Sequence, residues 1–376
     1  MSKICFKNAK IKAMKTIIPQ NKINIDDEIE FFGNSEKKLA RTKKIIGYGT
    51  RYIVDENTTA LDLSYEAALS LIKTYDIDRN SIDCILFLSQ SRDYIMPTSA
   101  NILHGLLDLN ENCAAMDLSQ GCSGFLYGLW NAFSLIESGA AKRILYLTAD
   151  TISKYSYRNN RLINPIFGDS ATATLIDYSA EKKESYFILG SRGKGWDKIV
   201  IPAGGCRILP DNNTINNDIK DSLGNEYNLH HMLMDGIDVF NFTIDVVPCI
   251  INDCMKFANL DKDEINMFAL HQANKQIIEA IADKADIPLE KTPTNTFSQY
   301  GNNACNSIGV HLTNNTDLAK NRNILICGFG VGLSWACAIL DFSETTFLGI
   351  SSYVDTKNTR PRNSLINEFK NKFINK

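Results

Sequence analysis

No stretch of this 376-residue chain approaches 18 consecutive apolar residues, so the sequence predicts no membrane-spanning helix. Its opening residues, MSKICFKNAKIKAMK, interleave lysines with apolar residues and lack the continuous apolar core of a signal peptide. Neither sign of charge is in excess. Forty Lys+Arg face 43 Asp+Glu, a formal net charge of -3, which argues against an electrostatic footprint for nucleic acid. Among the ten cysteines no pair has CxxC spacing, the closest being Cys249 and Cys254. Most sit in apolar surroundings, such as IDCILF at Cys84 and ILICGF at Cys327, and such cysteines read as buried free thiols in a reducing compartment, not as a zinc site or disulfide frame. The adjacent His230 and His231 sit in a polar stretch and are not expected to bind metal. What remains is globular: 44% apolar and 22% charged side chains, on a chain long enough for two or three domain-sized units. A soluble cytoplasmic protein is expected.

An internal echo organises the chain. DIDRNSIDCILFLSQ, from Asp76, lies over NLDKDEINMFALHQA, from Asn259, so that Asp78 matches Asp261 and Ile82 matches Ile265. Ser119-Gln120 matches Ser298-Gln299, and Ile144-Leu145 matches Ile324-Leu325, at nearly the same offset. Each half reads as helix, buried strand, helix, strand. In the first half these are a helix over 61–75, a strand over 82–89, a helix over 98–108, a strand over 113–119, a helix over 124–139 and a strand over 143–149. That alternation predicts an α/β protein with largely parallel sheets covered by helices. Expected boundaries are 1–180 for the first half, 181–232 for a connecting segment with a polar excursion over 207–230, 233–342 for the second half, and 343–376 for a C-terminal extension. In the extension, 355–363 is polar, and Leu365, Ile366, Phe369 and Phe373 form an apolar stripe at helical spacing.

Cys122 differs from the other cysteines. It sits in Gly121-Cys122-Ser123-Gly124, at a turn between a strand and a helix. Small neighbours allow a tight turn, and the helix N-terminus favours thiolate over thiol. His271 ends an apolar strand in FALHQAN, where a loop can present it to a cleft. Asn302, in Gly301-Asn302-Asn303, follows the strand-like TNTFS and could orient a carbonyl, although asparagine in such a turn is commonly turn chemistry alone. Gly328-Phe329-Gly330-Val331-Gly332 lacks GxGxxG spacing and reads as a turn between two strands, with backbone N–H groups near a reactive centre. The order Cys, His, Asn also occurs in papain-like proteases, but their local signatures are missing here.

Seven segments in order resemble the β-ketoacyl-acyl carrier protein synthase III family of thiolase-fold condensing enzymes: DLSQGCSGFLYGL, FGDSATA, IPAGGCR, MDGIDVFNF, HQAN, YGNNACNS and GFGVGLSWA. The resemblance implies a thiolase-like fold, two similar α/β halves with mixed sheets packed as a layered sandwich. It implies that Cys122 takes an acyl group from a thioester, and that His271 and Asn302 hydrogen-bond a malonyl thioester while it loses carbon dioxide. It also implies an oxyanion hole from the N–H of Cys122 and one within Gly330, Val331 and Gly332, with Phe329 bordering the nucleophile. Met96 falls where the family reaches into a partner's acyl pocket, implying a homodimer, and Lys275 falls where it meets the acidic carrier protein. Acyl and malonyl thioesters, on acyl carrier protein or coenzyme A, are the implied partners in fatty acid or specialised biosynthesis; no cofactor and no metal is implied.

The chain departs from that pattern in places. The segment from Lys38 to Ile46 has no tryptophan where the family commonly stacks a coenzyme A adenine, and Val331 replaces a common glycine. The competing expectation is an acyltransferase of the same fold that moves an acyl group to oxygen or nitrogen without decarboxylation.

Overall fold

The computed structural model describes residues 2–216, 218–222, 224–354 and 361–374. Two mixed sheets carry the fold. The six-stranded sheet runs Thr346–Ser352, Ala9–Ile18, Ser170–Tyr178, Arg143–Asp150, Cys84–Leu88, Ala114–Leu118. The five-stranded sheet runs Ser2–Phe6, Ser185–Ser191, Ser334–Leu340, Ile324–Gly330, Met267–Leu270.

The internal echo is visible in the strand pairing. Cys84–Leu88 lies parallel to Arg143–Asp150 with Cys84 opposite Ile144, and Met267–Leu270 lies parallel to Ile324–Gly330 with Met267 opposite Ile324. In both sheets the next two partners are antiparallel. Each half thus repeats one four-strand unit. The ends of the chain cross between units: Ser2–Phe6 pairs with Ser185–Ser191, and Thr346–Ser352 of the C-terminal extension pairs with Ala9–Ile18.

Burial follows from this layering. All five residues of Cys84–Leu88 and all seven of Ile324–Gly330 are buried, because helices cover both faces of each central strand. The helices Gly124–Glu137 and Ser307–Asn314 lie between the sheets, in a core that includes Phe125, Phe133, Ile308 and Leu312. Ala60–Thr74 and Ser99–Leu106 cover the outer face of the first sheet; Gly236–Ala258 and Lys275–Ala285 cover that of the second. Local signals fix these helices. Thr59 and Asp62 form a capping box, and the Asn274 side chain accepts from the Ile277 N–H at the start of Lys275–Ala285.

One local expectation needs correction. TNTFS is not a strand but the start of the helix Asn295–Tyr300, whose Phe297 packs on Tyr48 with ring centroids 5.8 Å apart. β-branched and aromatic content suggested a strand, and tertiary packing overrode it. The 207–230 excursion is largely exposed and is tied back to the body by a few polar contacts. Tyr157 donates from its hydroxyl to Asp218, Asn160 to the Glu226 carbonyl, and Asn225 and Asn228 are buried. In the C-terminal extension, Arg362–Phe369 is a helix whose Phe369 ring meets Tyr94 edge-on at 6.2 Å; residues 355–360 of the expected polar stretch lie outside the described ones. Among the described residues no helix is long and apolar enough to cross a membrane.

Candidate active site

A cavity open at its mouth, with about 810 Å³ of empty space when the adjoining solvent is included, lies between the two halves, and Cys122, His271, Asn302, Phe329, Gly330 and Val331 all line it. Cys122 stands just before the helix Gly124–Glu137, and His271 just after Met267–Leu270. Cys122 follows Ala114–Leu118 and His271 follows Met267–Leu270, strands that are not counterparts in the repeat, yet both chain segments open on the same space.

The glycine turn meets Cys122 closely. Gly330 has φ +149°, and a β-carbon there would come within 2.9 Å of both Cβ and Sγ of Cys122. Only glycine leaves the thiol room while holding that backbone conformation. A polar cluster ties this turn to the one that carries Cys122. Gln120 Nε2 donates to Ser334 Oγ at 2.8 Å, Ser123 Oγ and Ser334 Oγ are 2.8 Å apart, and Ser334 Oγ reaches the Val331 carbonyl at 2.7 Å.

Burial decides the charge state of the thiol. Cys122 is 9% exposed, and desolvation pushes its thiol up to about 12; the N–H groups of Val331 and of Cys122 itself pull it down, and the Asp150 carboxylate adds to the rise. The pull of the turn's N–H groups towards thiolate is present but is outweighed by burial. The resting group is a thiol, and its hydrogen-bond donors await negative charge. His271 is 2% exposed, and burial pushes its imidazole down to about 3, so it is neutral at physiological pH. Phe329 meets the His271 ring edge-on at 5.4 Å and 88°.

Asn302 is held by a second motif. Its N–H donates to the Ile166 carbonyl at 2.9 Å, and its own carbonyl accepts from Gly168 N–H at 3.1 Å. A β-carbon on Gly168 would collide with the Tyr300 carbonyl oxygen, which accounts for glycine in FGDSATA. Next to it, the buried Asp169 carboxylate accepts from Val54 N–H, Ser153 N–H and Ser153 Oγ, while burial raises its pKa to about 6. The Asn302 side chain is oriented too. Its Oδ1 accepts from Ala304 N–H at 3.0 Å, which leaves Nδ2 as a donor.

Other expected residues fall outside the cavity. Met96 is 80% exposed at the surface, and Lys275 begins its helix at the rim, 3.6 Å from Glu279. Conversely, Gln90, Met232, Met234 and Thr243 line the cavity, although the sequence assigned none of them to the site; Met234 entered only as the first residue of MDGIDVFNF. The two methionines follow the polar excursion, and Met232 N–H is anchored on the Tyr155 carbonyl at 2.8 Å. No group of three or more His, Cys, Asp or Glu among the described residues could hold a metal ion.

Comparison with known proteins agrees with this architecture. The family descriptions "3-Oxoacyl-(acyl-carrier-protein) synthase III" and its C-terminal counterpart match residues 116–193 and 255–342. A protein from Campylobacter jejuni named a 3-oxoacyl-(acyl-carrier-protein) synthase 3 is 38% identical over 353 residues, covering 94% of this chain and 99% of its own. A β-ketoacyl-(acyl-carrier-protein) synthase III from Fusobacterium nucleatum is 32% identical, covering 89% and 98%. The crystal structure of a 3-oxoacyl-(acyl-carrier protein) synthase from Burkholderia xenovorans superposes with a TM-score of 0.85 at 32% identity, covering 94% of this chain and 99% of that one. With two sheets built from one repeated unit and a cysteine at the strand-to-helix turn between them, the chain belongs to the 3-oxoacyl-(acyl-carrier-protein) synthase III family of thiolase-fold enzymes.

Proposed function

We propose that this protein catalyses a decarboxylative Claisen condensation, joining an acyl group held on Cys122 to a malonyl thioester and releasing a β-ketoacyl thioester. The supporting observation is the pairing, in one cavity, of a buried thiol with two neutral donors, His271 and Asn302 Nδ2. Neutral donors suit an enolate oxygen, whose charge develops only as carbon dioxide leaves.

The steps balance as follows. Cys122 sulfur attacks the acyl thioester carbon, its proton passing to the departing thiol, and the acyl group becomes a cysteine thioester. The N–H groups of Cys122 and Val331 hold the oxyanion of that step. The malonyl thioester then loses carbon dioxide, the electron pair of the broken C–C bond forming an enolate. Its oxygen accepts from Asn302 Nδ2 and from His271. Because His271 Nδ1 is buried with no partner among the described residues, and an orphan N–H is the costlier state, the proton belongs on Nε2. The enolate carbon attacks the cysteine-bound acyl carbon, and Cys122 leaves as the thiolate that the turn stabilises.

The donor in this reading is malonyl-acyl carrier protein, as the names of the relatives suggest. The assembly is a homodimer in which Met96 reaches a second copy's pocket; Met96 and its neighbour Ile95, 80% and 79% exposed, support that role. Ten free cysteines support a reducing, cytoplasmic setting. Intact-mass measurement after exposure to acyl thioesters, followed by malonyl-carrier protein with carbon dioxide release, tests the chemistry. One acyl adduct that disappears with decarboxylation is expected. An adduct that never triggers decarboxylation would instead establish acyl transfer to another acceptor.

A further inference from the structure

We propose that the acidic carrier protein docks on the helix Glu36–Ile46, and not chiefly on Lys275–Ala285. This rests on the condensation reading above for the identity of the partner. Glu36–Ile46 carries Lys37, Lys38, Arg41, Lys43 and Lys44 against the single acid Glu36, in a chain whose net charge is -3. Leu39 is its one buried residue, and Lys37, Arg41 and Lys44 follow the i, i+4, i+7 spacing of a single face. The preceding segment, Ile25–Phe32, holds Asp26, Asp27, Glu28 and Glu30. Two of these are already taken: Asp26 pairs with Lys43 at 2.7 Å and Glu28 with Arg51 at 2.5 Å. Lys37, Lys38, Arg41 and Lys44 are exposed and make no ion pair among the described residues.

The Lys275–Ala285 helix offers no such excess. Lys275 and Lys284 are balanced by Glu279 and Asp283, and Lys275 lies 3.6 Å from Glu279. Lys275 packs against Gly47, which ends the basic helix, so it stands at the edge of the same surface. Position completes the argument. Lys38 and Arg41 line a groove that shares Ile166 and Asn274 with the wall of the catalytic cavity. A carrier protein drawn to this helix therefore delivers its thioester arm directly into the passage leading to Cys122. An exposed basic face acts mainly by steering encounter, an effect that salt screens.

The test uses a fluorescently labelled malonyl-acyl carrier protein and measures its binding by polarisation. Lys37→Glu/Lys44→Glu should weaken binding and raise the KM for that donor about tenfold, with the loss shrinking as salt is raised. Turnover of malonyl-N-acetylcysteamine, a small carrier-free donor, should stay within about twofold, showing that the site remains folded. Lys284→Glu should bind the carrier protein as wild type does. Wild-type affinity in the Lys37→Glu/Lys44→Glu protein, or a larger loss in Lys275→Glu/Lys284→Glu, would overturn the proposal. Carrier-protein binding that depends on Lys37 and Lys44, without carbon dioxide release by wild-type protein, would uphold the docking surface and reject the condensation reading.

Discussion

Gly330 stands against Cys122 so closely that a β-carbon on it would lie 2.9 Å from the thiol sulfur. The residue that shapes the turn and the proposed nucleophile belong to different halves of the chain. Gly330→Ala should therefore damage chemistry more than folding. A fall in kcat of at least about a hundredfold is expected, comparable to losing one oxyanion donor, while carrier-protein binding by polarisation is retained. A variant with normal turnover would show that the turn does not face the reacting sulfur.

The raised thiol pKa makes a kinetic prediction. With Cys122 pushed up to about 12, its thiolate fraction grows tenfold for each pH unit across the neutral and mildly alkaline range. Iodoacetamide labelling of the Cys122 peptide, followed by mass spectrometry, should accelerate accordingly between pH 7 and 9.5 without levelling off. A plateau near pH 7 would mean that the helix N-terminus outweighs burial.

Asn302→Asp exchanges an oriented donor for a carboxylate at the same place. Decarboxylation of malonyl-carrier protein should fall by about 10²–10³-fold. The acyl adduct on Cys122 should still form, since that step uses backbone N–H groups. Equal loss of both steps would remove the assignment of Asn302 to the enolate oxygen.

Buried histidines make stability depend on pH with a definite sign. Folding holds His271 and His311 down to about 3, below the ordinary 6.5. Between those values the unfolded chain binds more protons, so stability is fully present above about pH 6.5 and is lost as pH falls. Each imidazole contributes at most about 1.4 kcal/mol per pH unit in that window. The Tm of His271→Asn, followed from pH 7 to 4.5, should fall less steeply than that of wild type. An unchanged slope would show that His271 is charged in the folded protein.

Much of this was legible in the residues. Apolar runs with helical spacing between them identified the central strands, with Cys84–Leu88 and Arg143–Asp150 falling inside the predicted 82–89 and within a residue of 143–149. Small residues at a strand-to-helix turn singled out Cys122, and the echo of Ile144 in Ile324 anticipated two equivalent strands. These are short-range properties: side-chain period, turn chemistry and local spacing act within a few residues, so the sequence displays them directly.

What the tertiary structure alone decided depends on contacts between distant segments. The same helix start that favours thiolate leaves Cys122 a thiol, because two packed halves strip it of water. The Asn302 amide could have turned either way until Ala304 N–H claimed its oxygen. Gln90, Met232 and Met234 became cavity wall, and Glu36–Ile46 came to flank the cavity mouth, only when the sheets closed around that space. Desolvation and hydrogen-bond orientation are set by everything surrounding a group in space, and that surrounding is assembled from residues hundreds of positions apart.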